Sequence, residues 1–280
     1  MAPTAASSFP ESEPLWQSAP HIGVGNRGLN YGDGVFTTFL VNDGRICLRS
    51  AHRDRLLRDA RQLGLLLDEG ELEIVFDNLS HAGRSQGWCV GKVVATREES
   101  GRGYAAGSHR ATLLSTLYSG QKPADEPPQI AVSLAALRLA CQPRTAGAKH
   151  LNRLEQVLAR AEHPVDTYPE LLTADERGNL VEGIQSNVFF RIGTSLCTPP
   201  TAQAGVDGVA RQLLLGSDAE VSEQPRPVEG LIDAVDELFL VNSVRGVQSV
   251  RELTIGGRTR VFESFDSARA AHRTFLQALS

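Results

Sequence analysis

Hydrophobic and polar positions along this chain fall into two rhythms, one of period two and one near 3.6, which separate strands from helices. From Gly34 the run Val-Phe-Thr-Thr-Phe-Leu-Val is β-branched and aromatic; Asn42-Asp-Gly44 interrupts it, and Arg-Ile-Cys-Leu resumes. That pattern predicts a hairpin with its turn at residues 42–44. Residues 50–64 open on Ser50 as a candidate cap, place Leu56, Leu57, Ala60 and Leu63 at helical spacing, and close on Gly64. They predict a helix, as do residues 68–81, whereas residues 87–96 and 111–118 predict strands. Residues 119–128 carry Pro123, Pro127 and Pro128 with no apolar run and read as a linker. Beyond it, residues 130–134 predict a strand, and a helix from His150 would bury Leu151, Leu154, Leu158 and Ala161 on one face. Residues 170–190 predict a hairpin turning at 176–179, and residues 205–215 a glycine-bearing turn that enters a helix. Residues 237–243 predict a buried strand, and residues 264–279 a closing helix. The mixture predicts an α/β fold of mixed α+β character. Residues 1–25 would be a disordered tail or irregular segment, 26–118 an N-terminal α/β domain, 119–128 the linker and 129–280 a C-terminal domain.

Composition narrows the function. At 280 residues and 41% hydrophobic content the chain can build two cores, and a net charge of −5 supplies no basic footprint for nucleic acid. An anionic ligand would have to be held by particular cations. Cys47, Cys89, Cys141 and Cys197 are dispersed, without C-x-x-C or zinc spacing, which suits reduced thiols in the cytoplasm and implies no metal. No run of 18 apolar residues and no apolar leader is present, so neither a membrane span nor export is expected. The phosphate loop G-x-x-x-x-G-K-[ST], the zinc motif H-E-x-x-H and the nucleophile elbow G-x-S-x-G are all missing.

One residue type is used sparingly. Lys92, Lys122 and Lys149 are the only lysines, arginine having been used wherever a plain positive charge suffices. An ε-amine, unlike guanidinium, can lose its proton and form a Schiff base. Lys149 begins Lys-His-Leu-Asn-Arg-Leu-Glu-Gln-Val-Leu-Ala-Arg160, and this segment closely resembles the lysine segment of 4-amino-4-deoxychorismate lyases. Those enzymes belong to the fold-type IV pyridoxal-phosphate (PLP) group, with the class IV branched-chain and D-amino-acid aminotransferases. Asn26-Arg-Gly-Leu-Asn-Tyr-Gly-Asp-Gly-Val-Phe-Thr-Thr38 resembles the group's N-terminal signature, and Glu182-Gly-Ile-Gln-Ser-Asn-Val-Phe189 its later strand.

The resemblance implies a small N-terminal and a larger C-terminal domain with the cofactor between them, and usually a homodimer. It assigns Lys149 as the amine that carries PLP. His52-Arg-Asp-Arg55 is similar to the phosphate element His-x-x-Arg, which puts Arg55 on the phosphate; the amides of Val209 and Ala210 and the strand end Asn242-Ser243 would complete that cup. Glu182 would face the pyridine nitrogen, with Ser186 and Asn187 following in family order. Thr38, where branched-chain transaminases commonly have glycine, would relay a proton. Arg102-Gly-Tyr104 is similar to the lyase loop near the substrate, and Arg97, Arg102 and Arg245 are candidate cations for substrate carboxylates. The implied reaction splits 4-amino-4-deoxychorismate into 4-aminobenzoate and pyruvate, a step towards folate. A class IV aminotransferase acting on branched-chain or D-amino acids is the alternative, and a non-enzymatic relative of the fold the third reading.

Overall fold

The computed structural model describes residues 13–18, 22–99, 103–217 and 220–279. They form two compact units. One comprises the described residues of Glu11–Lys122 with Ala148–Asn152 and Leu279, the other those of Pro123–Gly147 and Arg153–Ala278.

The first unit holds β1 (Trp16–Gln17), α1 (Arg27–Tyr31), β2 (Gly34–Asn42), β3 (Arg45–Ile46), α2 (Arg49–Gln62), α3 (Glu69–Ala82), β4 (Trp88–Arg97) and β5 (Ala111–Ser119). Its five strands run antiparallel in the order β1-β5-β4-β2-β3. The β2–β3 turn forms at the expected Asp43-Gly44, both at positive φ, the geometry that a two-residue hairpin demands. One sheet face packs Val35, Phe39, Val41 and Val93 against Leu56, Leu72, Phe76 and Leu79 of the two helices. Asp68 caps α3 by accepting the Glu71 N–H at 2.8 Å. Ser50 does not cap α2: Leu48 occupies that position at φ 53, with no side-chain cap, and Ser50 lies inside the helix.

The second unit follows with β6 (Gln129–Leu139), α4 (Leu154–Arg160), β7 (Glu170–Asp175), β8 (Leu180–Gly183), β9 (Asn187–Ile192), β10 (Ser195–Thr198), α5 (Val209–Leu215), β11 (Val221–Glu223), α6 (Leu231–Ala234), β12 (Glu237–Asn242), β13 (Gly246–Ile255), β14 (Arg258–Val261) and α7 (Asp266–Leu279). Its sheet runs β11-β10-β9-β12-β13-β6-β7-β8, with β14 paired to β13. The β13/β6, β6/β7 and β10/β11 pairs are parallel and the others antiparallel. This is the mixed α/β class expected from the pattern.

The helix expected from His150 is a correction. Phe36 N–H donates to Lys149 O and Leu151 N–H to Gly34 O, both at 2.9 Å, and Val35 bridges His150 in antiparallel register. Backbone groups spent on sheet-type bonds cannot also close helical turns. The helix therefore starts at Leu154, and the face expected to be buried is largely outside: Leu154 and Leu158 are 68% and 52% exposed and Ala161 is exposed, Leu151 is half-buried, and Ala159 is the buried residue of the helix. Among the described residues no helix is long and apolar enough to cross a membrane.

Candidate active site

In the first unit, the extended segment Ala148–Asn152 lies along β2 and carries Lys149. Its backbone is held on both sides. Asp59 of α2, fully buried, accepts the Lys149 N–H on Oδ2 at 2.9 Å, and the Lys149 carbonyl receives Phe36 N–H. Burial raises the Asp59 carboxyl above its usual range, and the Lys149 amide with Arg55 and Arg58 pulls it back. The Lys149 ammonium stands 4.6 Å from the centroid of the Phe36 ring, within cation–π range.

Strand alternation decides what shares that ring. Thr37 points inward, fully buried against α2, so Phe36 and Thr38 lie on the opposite face of the sheet. Thr38 pairs with Lys92 of β4, and Lys92 Nζ is 5.0 Å from the same Phe36 ring. Burial lowers the Lys92 amine below its ordinary value. Lys92 was not among the sequence candidates; only the β2–β4 register puts it beside Phe36 and Thr38. On the inner face Arg55 is buried and donates to the Thr37 hydroxyl, whose oxygen lies 2.7 Å from His52 Nδ1.

In the second unit, Glu182 is buried on β8 and accepts the Val206 N–H on Oε2 at 2.8 Å. The turn before α5 must pass close by, and Gly205, at φ 84, makes this possible: a Cβ there would lie 2.8 Å from Val181 Cγ1 and 3.3 Å from Glu182 Oε2. Asn187 donates to Val206 O at 2.7 Å and so pins the same turn. Gly208 stands at the head of α5 and gives the first-turn amides of Val209 and Ala210 no side-chain cap. Arg211 of α5 is spent internally, on Asp207, Pro199 O and Glu223. Ser186 donates to Glu170 Oε2 at 2.9 Å and accepts from Asn242 Nδ2 at 3.1 Å. Asn242 Oδ1 in turn accepts the N–H groups of Val244 and Arg245, with half-buried Ser243 in the same turn. Glu170, which pattern alone did not single out, is pushed up to about 6 by burial, with Ser186, the Leu171 amide and Arg245 drawing it back.

The candidate substrate cations divide. Arg97 is engaged within the fold: its Nε donates to Asp33, its Nη1 to Gly64 O and its Nη2 to Leu63 O, each at 2.9 Å. A buried guanidinium whose three nitrogens are so engaged holds the fold. Arg245 is half-buried, close enough to Glu170 to act on its charge. Tyr104 is 90% exposed; its carbonyl accepts from Arg27 at 3.2 Å and its ring lies 5.6 Å from that of Tyr31. Arg102 lies outside the described residues.

A family model for class IV aminotransferases matches residues 34–253, well over half of the chain. The chain belongs to the class IV aminotransferase family. An aminodeoxychorismate lyase of Vibrio harveyi is 28% identical over 240 residues, 82% of this chain and 86% of that protein. A putative branched-chain-amino-acid aminotransferase of Methanocaldococcus jannaschii is also 28% identical, over 83% of this chain and 82% of that one. Among solved structures, a 4-amino-4-deoxychorismate lyase from Pseudomonas aeruginosa superposes with a TM-score of 0.80 at 32% identity, covering 94% of this chain and 98% of that one.

The cofactor of this family is pyridoxal phosphate, and the groups present fit it. It needs an amine, an anion cup and an acid for its ring nitrogen. The first unit offers an amine at Lys149 and a buried cation at Arg55; the second, taken by itself, offers the first-turn amides of Val209 and Ala210 and a buried carboxylate at Glu182.

Proposed function

We propose that this class IV enzyme is a lyase that converts 4-amino-4-deoxychorismate to 4-aminobenzoate and pyruvate, with PLP carried on Lys149. The observation that supports this reading best is the shared Phe36 ring: it holds two amines, Lys149 and Lys92, on the sheet face where Thr38 also stands. The similarity to the lyases of Vibrio harveyi and Pseudomonas aeruginosa supports it further.

In this reading Arg55 of the first unit would be a phosphate ligand, and the second unit would offer the amides of Val209 and Ala210, with Ser186, Asn187, Asn242 and Ser243, as cofactor-binding groups. Glu182 would hold the proton of the cofactor's ring nitrogen. Bound PLP supplies an electron sink for the charge left when a proton leaves the substrate. Lys149 Nζ takes the proton from the substrate ring carbon that bears the amine. The C–O bond to the enolpyruvyl group then breaks and the ring becomes aromatic. Lys149 or the Thr38 hydroxyl delivers a proton to the departing enol carbon, which completes pyruvate. Lys92 supplies positive charge for a substrate carboxylate in the first unit. A homodimer is the assembly we assign, with exposed Leu154, Val157 and Leu158 as the apolar face a second copy would cover. Light scattering that found only monomer would remove that assignment.

The test is to incubate the purified enzyme with aminodeoxychorismate and follow 4-aminobenzoate and pyruvate together. Equal amounts of both, with no keto acid added, are expected. Amine transfer to an added keto acid without pyruvate release would instead make the chain an aminotransferase. Borohydride reduction followed by peptide mapping should leave the cofactor on Lys149; recovery on Lys92 or Lys122 would overturn the site.

A further inference from the structure

Helix α2 turns His52, Arg55 and Asp59 towards the sheet, at the i, i+3 and i+7 spacing that usually carries apolar side chains. Burying three polar groups in a row is costly unless each has a defined partner. Asp59 has the Lys149 amide. The other two meet at Thr37, the fully buried hydroxyl on the inner face of β2.

One direction at Thr37 follows from valence. A guanidinium has only donors, so the Thr37 oxygen accepts from Arg55 Nη2. The same oxygen lies 2.7 Å from His52 Nδ1, and which of the two donates there is set by the imidazole tautomer. Burial, reinforced by the charges of Arg55 and Lys149, holds His52 well below its ordinary pKa and so keeps the ring neutral. The result is a buried chain of contacts from Arg55 through Thr37 to His52.

We propose that Thr37 and His52 are positioning residues for Arg55: together they fix its guanidinium for a phosphate monoester, so the enzyme's preference for PLP over unphosphorylated pyridoxal depends on all three. This rests on the reading of Arg55 as a phosphate ligand. Thr37 and His52 act through Arg55 and make no contact with cofactor themselves. Arginine is a long side chain with several rotatable bonds, and fixing one Nη beforehand removes freedom that anion binding would otherwise have to freeze. The adjacent threonines thus have separate duties: Thr38 faces the reaction, and Thr37 faces the helix that grips the phosphate.

The full-length chain, freed of cofactor, would be titrated with PLP and with pyridoxal, and the ratio of the two Kd values read for each variant. A partly unfolded preparation affects both ligands alike, so the ratio isolates the phosphate. Thr37→Val, nearly isosteric, should weaken PLP about tenfold and leave pyridoxal within about twofold. Thr37→Ser, which keeps the hydroxyl, should restore the wild-type ratio. His52→Leu should resemble Thr37→Val, while His52→Asn, with a side-chain amide near the Nδ1 position, should recover part of the preference. If Arg55→Ala abolishes the preference but Thr37→Val and His52→Leu leave it intact, the positioning chain is wrong although the phosphate reading of Arg55 stands. Equal weakening of PLP and pyridoxal by Thr37→Val would likewise overturn the chain, reducing Thr37 to packing. An unchanged ratio in Arg55→Ala would remove the phosphate reading itself, and the chain with it.

Discussion

Replacing Asp59 by alanine should loosen the segment that carries Lys149 while leaving the Lys149 side chain untouched. Asp59 is fully buried, and its Oδ2 is the acceptor for the Lys149 amide at 2.9 Å. Its other oxygen pairs with Arg58, a side chain 43% exposed at 3.0 Å, which adds little once solvent screening is counted. Buried Arg55 also draws on the Asp59 charge, so the loss is at least that of one hydrogen bond to a charged acceptor, about 1.5–3 kcal/mol. Part is returned, because burial already disfavours the ionised carboxyl, so about 2 kcal/mol is expected. Asp59→Asn keeps an acceptor oxygen and removes the desolvation of charge; it should lie within about 1 kcal/mol of wild type. Hydrogen exchange at the amides of Lys149 and Phe36 reports this locally, and 2 kcal/mol corresponds to roughly 30-fold faster exchange in Asp59→Ala. Turnover should fall with it, since a displaced base loses near-attack geometry. Exchange at wild-type rates in Asp59→Ala would refute the idea that α2 holds the lysine segment. If Asn proved as damaging as Ala, the effect would belong to the charge and not to the hydrogen bond.

Thr38→Ala should lower kcat about 10–10³-fold with little change in KM, and Thr38→Ser should recover much of it; identical Ala and Ser variants would make Thr38 a packing residue. Lys92→Met, which keeps the stem over Phe36 but removes the charge, should raise KM about tenfold, whereas an unchanged KM would place the substrate carboxylates elsewhere. Glu170 should leave a signature in the pH dependence of stability, because its folded pKa of about 6 lies above the ordinary 4.5. Between those values the folded state holds a proton that the unfolded state has released. Stability therefore falls as pH rises through the window, by about 2 kcal/mol in total. Glu170→Gln cannot titrate, so unfolding midpoints of the two proteins should converge at low pH and separate above it, with wild type the less stable; a constant offset across the window would contradict a raised pKa.

Much of this enzyme was legible in its letters. The hairpin turn at Asp43-Gly44, helices α2, α3 and α7 and most of the core strands follow from local rules, because a period of two or 3.6 and a turn residue at positive φ are properties of short segments. Lys149 stood out for the same reason: a chain that spends arginine freely and keeps only three lysines marks its amines. The site's surroundings needed the tertiary structure. The segment from His150 reads as the start of a helix, yet pairing with β2, a partner more than a hundred residues away, claims the backbone groups of residues 149–151. Arg97 and Lys92 were indistinguishable as cations until strand register set one among carbonyls and Asp33 and the other over Phe36. Alternation alone puts Thr37 and Thr38 on opposite faces; which face meets α2 is settled only when the sheet buries its apolar side against Leu56 and Phe76. The sequence by itself determined most of the elements and marked Lys149 as the candidate amine, since both are written within one segment. Only the tertiary structure decided which charges meet, because burial and pairing depend on groups brought together from distant parts of the chain.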